Sequence, residues 1–149
     1  MADIFFTKEG LDKVKQEYKE LFEKRKDAVE TLKRAREMGD LSENGLYKAA
    51  KFELGNIDRT LRKLGYYINK GGVAAKPAGR TGIGSRVTVD EDGKKKEFHI
   101  VGDTEAKPSE NKISSNSPLG KALMNSKKGE SVEIKAPGGK RVLKIISIV

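Results

Sequence analysis

Met38-Gly39-Asp40-Leu41-Ser42-Glu43-Asn44-Gly45 interrupts two long apolar repeats, and its effect on the chain decides the fold. Upstream, Leu11, Val14, Tyr18, Leu21, Arg25, Ala28, Leu32 and Ala35 are spaced alternately by three and four. Downstream, Tyr47, Ala50, Leu54, Ile57, Leu61, Leu64 and Ile68 keep the same alternation. Each series is an a/d seam, the stripe by which one helix packs along another. Thr7 is placed to cap the first helix, and no proline occurs between residues 8 and 70. Gly39 breaks the first helix and Asp40 can open the second. A break this short makes the helices antiparallel neighbours. The expected product is a helical hairpin of roughly 27 residues per arm, about 40 Å long at 1.5 Å per residue. Arg25 sits in a seam, where its stem can cover apolar surface while its head reaches water.

Beyond residue 70 the pattern changes. Gly71, Gly72, Gly79, Gly82 and Gly84, with Pro77, read as a loop or linker. The period then becomes two. Arg86-Val87-Thr88-Val89 and Glu97-Phe98-His99-Ile100-Val101 are strand-like and are joined through the hairpin signal Asp92-Gly93. Val132-Glu133-Ile134 and Val142 to Ile148 are two more strands, with Ala136-Pro137-Gly138-Gly139 as a turn between them. Ser117 caps a short helix that has Pro118 at its first position. The fold class is therefore α+β. Residues 1–75 form an antiparallel coiled-coil hairpin with an acidic tip, and residues 76–149 form a small α+β domain.

Composition narrows the function. The chain has 149 residues, of which 36% are charged and 6% aromatic, with no Trp and a formal charge of +9. Residues 1–75 carry 16 basic and 13 acidic side chains, and residues 76–149 carry 15 and 9. A basic surplus in both halves suits an anionic partner such as nucleic acid or a large acidic assembly. With no cysteine there is no disulfide, thiol catalysis or Cys-type zinc site. The single histidine, His99, leaves no multi-His metal cluster, and its place in a strand suits a structural role. No long apolar run crosses a membrane, and the N-terminus lacks the basic and apolar regions of a signal peptide. A cytoplasmic monomer is expected.

The unusual chemistry is the acid pair Asp40 and Glu43 at the apex of an arm that has no pocket of its own. Asp-x-x-Glu at a helix start is a capping box, with both acids opposing the positive helix N-terminus. Two carboxylates also suit Mg²⁺, whose remaining positions are filled by waters and substrate phosphates. The readings are compatible, since a capping carboxylate keeps oxygens free for metal. Lys33, Arg34, Arg36 and Lys48 flank the tip, either as a solvated helix face or as contacts for RNA phosphates.

The segment Gly39-Asp40-Leu41-Ser42-Glu43-Asn44, with Tyr47 and Ala49-Ala50 behind it, resembles the tip of the Gre family of bacterial transcript-cleavage factors. Three C-terminal segments resemble that family's signatures in order. They are Ile100-Val101-Gly102-Asp103, Ile113-Ser114-Ser115-Asn116-Ser117-Pro118-Leu119 and Pro137-Gly138-Gly139. Asn116 is similar to the GreA branch rather than the GreB branch. The resemblance implies an FKBP-like C-terminal domain and a factor that binds bacterial RNA polymerase through its secondary channel. There it stimulates cleavage of backtracked RNA, and the catalysis is the polymerase's own. It implies that Asp40 and Glu43 are metal-assisting acids sharing Mg²⁺ with the polymerase, with no cofactor bound by the chain alone. It further implies that Ser42 and Asn44 lie near the nascent RNA 3′ end, and that Asn116, Ser117 and Pro118 face the channel rim. The family often carries a third acid three residues after the Glu, where this chain has Leu46. Two alternatives follow: a channel binder that regulates polymerase without cleavage, and a basic coiled-coil nucleic-acid-binding module.

Overall fold

The computed structural model describes residues 4–39 and 44–149. The chain runs β1 (Ile4–Phe6), α1 (Lys8–Arg36), α2 (Gly45–Lys70), β2 (Gly71–Val73), β3 (Arg86–Glu91) and β4 (Lys94–Val101). It continues with β5 (Lys112–Ser114), α3 (Pro118–Leu123), β6 (Ser131–Ala136) and β7 (Gly139–Ile148). Two 3-10 turns, Asp103–Glu105 and Pro108–Glu110, lie between β4 and β5. One compact unit is Asp12–Gly71; the other is Gly72–Val149 with the N-terminal residues through Leu11.

In the helical unit, α1 has 29 residues and α2 has 26. Every α1 seam residue from Val14 to Ala35 is buried or half-buried, and the other α1 side chains from Asp12 to Arg36 are exposed. The most buried positions of this unit are Ala28, Ala35, Ala50, Ile57 and Leu64. Alanine at three of these levels leaves room for close approach of the helix axes. Arg25 is answered across the seam by Asp58. Its Nε donates to Oδ1 at 2.6 Å, and Nη2 reaches Oδ2 at 3.5 Å. The Arg25 hydrogen bond holds the Asp58 carboxyl below its usual range, and the same bond raises the guanidinium.

The second unit is built on a five-stranded sheet in the order β5-β4-β3-β7-β6. Its pairs are antiparallel except β4–β5, which is parallel. Alternation sends Val87, Val89, Phe98, Ile100, Val132, Ile134, Leu143 and Ile145 to one face, where Leu123 of α3 joins them in the core. Asp92 (φ 53°) and Gly93 (φ 83°) take the two left-handed positions of the β3–β4 turn, as the Asp-Gly signal requires. All four strands expected from alternation are present, and each is longer than its apolar run.

The stretch 71–85, expected as a loop or linker, is structured at both ends. Gly71–Val73 is β2 and pairs with β1. Thr81 is only 2% exposed. Its N–H donates to the Ser126 carbonyl at 2.9 Å, and its Oγ1 accepts from the Ser126 N–H at 2.8 Å. The same hydroxyl donates to the Leu123 carbonyl. Small polar residues are buried here because main-chain groups satisfy each of those atoms. Among the described residues, no helix is long and apolar enough to cross a membrane.

Candidate functional site

Asp40, Ser42 and Glu43 fall outside the described residues, so the chemistry expected of them remains a reading of the sequence. The neck that carries them is described. Beyond Arg36 the helix tightens: the Met38 N–H donates to the Ala35 carbonyl at 3.2 Å, and Gly39 takes φ 128°. That angle is in the region an L side chain resists, so Gly39 ends the helix where the sequence places its break.

The opening of α2 differs from expectation. Its N-cap is Asn44, and the expected opener Asp40 lies four residues earlier in the sequence. Asn44 Oδ1 accepts from the Tyr47 N–H at 3.0 Å, and Asn44 Nδ2 donates to the Ala35 carbonyl at 2.6 Å. One side chain thus caps the second helix and fastens it to the last turn of the first. Aspartate in that position has no donor for Ala35, which explains why an amide serves. The Arg36 guanidinium carbon lies 5.9 Å from the Tyr47 ring centroid and adds a cation–π contact to the neck.

Leu46 is 61% exposed and Met38 65%, so two apolar side chains stand open beside the apex. Leu46 does not cover the seam; Tyr47, half-buried, occupies it. Lys33, Arg34, Arg36 and Lys48 are all exposed. Arg34 reaches Glu30 at 3.8 Å, a loose helix-surface pair. Four cationic heads on the solvent side of the neck make a surface that favours polyanions.

The segment Asn116, Ser117 and Pro118 lies in the other unit. Ser117 is the N-cap of α3 and accepts from the Gly120 N–H at 3.0 Å, with Pro118 at the first helical position. The Ser117 hydroxyl donates to the Ser114 carbonyl at 2.7 Å. A Cβ on Gly120 would collide with that carbonyl, so glycine is required where helix and strand end meet. Asn116 and Pro118 are exposed and Ser117 is half-buried. The Asn116 amide donates to Asp103 Oδ2 at 2.8 Å, a partner thirteen residues away that no local pattern announces.

His99 lies in β4 beside Arg86 of β3 and Lys112 of β5. Burial, and then the charges of Arg86 and Lys112, hold its imidazole below the ordinary histidine range. Glu97 and Glu110 line the same shallow groove and balance its cations.

Comparison with known proteins matches this architecture in two parts. A family model described as "Transcription elongation factor, N-terminal" covers residues 4–71. A second, "Transcription elongation factor, GreA/GreB, C-term", covers residues 76–149. Transcription elongation factor GreA of Bacillus subtilis is 40% identical over 147 residues, spanning 95% of this chain and 94% of that protein. The GreA of Roseiflexus castenholzii is 37% identical over 150 residues, spanning 97% and 96%. Among solved structures, GreA factor homolog 1 of Thermus thermophilus is 26% identical with a TM-score of 0.47, covering 98% of each chain. With both halves matched in order around a helical hairpin and an α+β unit, the chain belongs to the GreA/GreB family of transcription elongation factors and is GreA-like.

Proposed function

We propose that this elongation factor enters the secondary channel of bacterial RNA polymerase by its helical hairpin and stimulates the polymerase's own cleavage of backtracked RNA. The observation that carries the reading is that the acid pair Asp40 and Glu43 falls, in the sequence, between the two helices of a hairpin in a GreA-like chain. Two carboxylates are hard oxygen donors and fit Mg²⁺ in a shell completed by waters and a partner's ligands. Asp40 and Glu43 would hold the ion jointly with the polymerase. When bound there it supplies positive charge against the scissile phosphate and acidifies a water.

The chain's own part is to deliver and hold those carboxylates. An arm of about 40 Å reaches a site that no surface loop can, and its seams keep it straight while its faces stay wet. Asn44 and the Arg36–Tyr47 contact hold the neck narrow behind the apex. Ser42 and Asn44 then lie close to the RNA 3′ end, and Lys33, Arg34, Arg36 and Lys48 face its phosphates. Asn116, Ser117 and Pro118 dock on the channel rim. The chain performs no hydrolysis by itself and works in the cytoplasm as a monomer.

A second reading is favoured by Leu46. An exposed apolar side chain stands where the family often has a third acid, which suits a channel occupant that regulates without cleaving. Placement in the channel is tested through the same residue. The chain has no cysteine, so Leu46→Cys carries a single thiol for a photoreactive label. In a backtracked complex with labelled RNA, the expected result is a crosslink to the extruded 3′ segment. Polymerase binding without any such crosslink contradicts insertion, and absence of polymerase binding favours the nucleic-acid-binding module.

A further inference from the structure

The 3-10 turn Asp103–Glu105 is tied down by one carboxylate and reaches outward with another. Glu105 is the tie. Its Oε2 accepts from the Thr7 N–H at 2.9 Å and the Gly102 N–H at 3.3 Å, and its Oε1 from the Thr7 hydroxyl. Asp103 points the other way, to the loop before α3. Its Oδ2 accepts from Asn116 Nδ2 at 2.8 Å and its Oδ1 from the Ser114 hydroxyl. The Asn116 N–H donates to that Ser114 hydroxyl at 3.1 Å. The Ser114 and Asn116 hydrogen bonds, in that order, hold the Asp103 carboxyl below the ordinary aspartate range.

The loop beyond Asn116 is fixed by its own atoms, since the Ser117 N–H and hydroxyl both donate to the Ser114 carbonyl, at 3.1 and 2.7 Å. The Asn116 side chain is exposed, and its orientation is set from outside the loop. An ionised carboxylate can only accept, so the amide atom beside Asp103 is the NH₂ group, and the amide oxygen is directed away from it.

We propose that Asp103 is a positioning residue for polymerase docking: it locks the Asn116 amide so that Oδ1 is presented to a hydrogen-bond donor on the partner. The donor is a Lys or Arg side chain or a backbone N–H, because an amide oxygen can only accept. The inference rests on the reading that residues 116–118 dock, and it adds how that segment is held ready. Releasing the amide costs the complex the ordering of one side chain, which weakens binding by about threefold to tenfold.

The experiment measures the dissociation constant of the full-length chain for core RNA polymerase, for the parent, Asp103→Ala, Asp103→Asn, Asn116→Ala and the Asp103→Ala/Asn116→Ala double variant. Asp103→Ala is expected to bind more weakly by that factor. Asp103→Asn, whose oxygen still accepts from Asn116, should lie closer to the parent. The double variant should bind no more weakly than Asn116→Ala alone, because Asp103 acts through Asn116. Additive losses would mean that Asp103 contacts the partner directly and would overturn the proposal, as would unchanged binding by Asp103→Ala. Proton–nitrogen correlation spectra of the free chain supply a second readout. The Asn116 NH₂ signals should move toward free-amide positions in Asp103→Ala while sheet amides stay in place, and an unmoved pair contradicts the geometry. A parent that does not bind polymerase overturns the docking reading and the proposal with it. Parent binding with Asp103→Ala unaffected overturns the proposal alone.

Discussion

Asn44 engages both ends of its amide with the hairpin backbone, Oδ1 with Tyr47 and Nδ2 with Ala35. Asn44→Ala should lower stability by about 1 kcal/mol, the worth of a lost N-cap. Asn44→Asp keeps the cap and loses only the donor to Ala35, so thermal unfolding should place it between parent and Asn44→Ala. Melting of Asn44→Ala together with the parent would contradict the clasp. Read from the sequence, Asp40 is the expected opener, yet an Asn side chain accepts from a helix N–H as well as an Asp does. What distinguishes Asn44 is a donor able to reach across to the other helix, and that contact is invisible until the helices are paired. Leu46 is the other residue whose meaning depends on position. It is open to solvent, so a carboxylate there adds charge without emptying a core. Leu46→Glu should strengthen the apparent Mg²⁺ dependence of RNA cleavage by about fivefold, or ~1 kcal/mol after repulsion from Asp40 and Glu43 is subtracted. A Mg²⁺ titration in stalled complexes measures it, and an unshifted midpoint would mean two acids suffice.

The helices show how strongly a heptad pattern specifies an element. Both seams are present as read, because an a/d stripe must be covered by another stripe for the hairpin to be worth forming. The pattern was silent on what answers Arg25. A charged residue in one seam calls for an opposite charge at the same height on its neighbour, and Asp58, beside Ile57 of the other seam, supplies it. Because the folded Asp58 carboxyl lies below its ordinary 3.8, the pair's contribution is complete above that value and is lost as pH falls through the lowered one. Asp58→Asn should therefore melt below the parent at neutral pH and converge with it in acid, as circular dichroism at the helical band would record. A constant gap across pH would contradict the pairing. The start of α1 is held differently. The Thr7 hydroxyl accepts from the Gly10 N–H at 3.0 Å and donates to Glu105, and Thr7 is 5% exposed. Thr7→Ala should cost about 1–2 kcal/mol in chemical denaturation, and Thr7→Ser should recover most of it. Equal losses for the two would assign the effect to packing of the methyl group. Thr7 was legible as a cap from its place before the helix, whereas Glu105 was not. Strands β1, β2 and β5 were also missed, since three residues each cannot display a period of two.

At the scale of the molecule, the chain joins a wet helical arm to a unit with its own apolar core, and the N-terminal residues through Leu11 belong with that core. The order of helices, then sheet, was legible from the change of period near residue 71, and the family from four short segments in register. The site was legible only as residue types at an apex. Asp40 and Glu43 mean little without the hairpin that carries them, and their metal chemistry is completed by the polymerase in the reading proposed. Cleavage stimulation hinges on that pair. Backtracked elongation complexes with end-labelled RNA are mixed with the parent, with Asp40→Asn or with Glu43→Gln, and shortened RNA is followed in time. Polymerase occupancy is verified in the same reactions. The parent should shorten the RNA and restore extension, while both variants occupy the polymerase and leave the RNA intact. Cleavage by both variants at the parent's rate would contradict a metal role for Asp40 and Glu43.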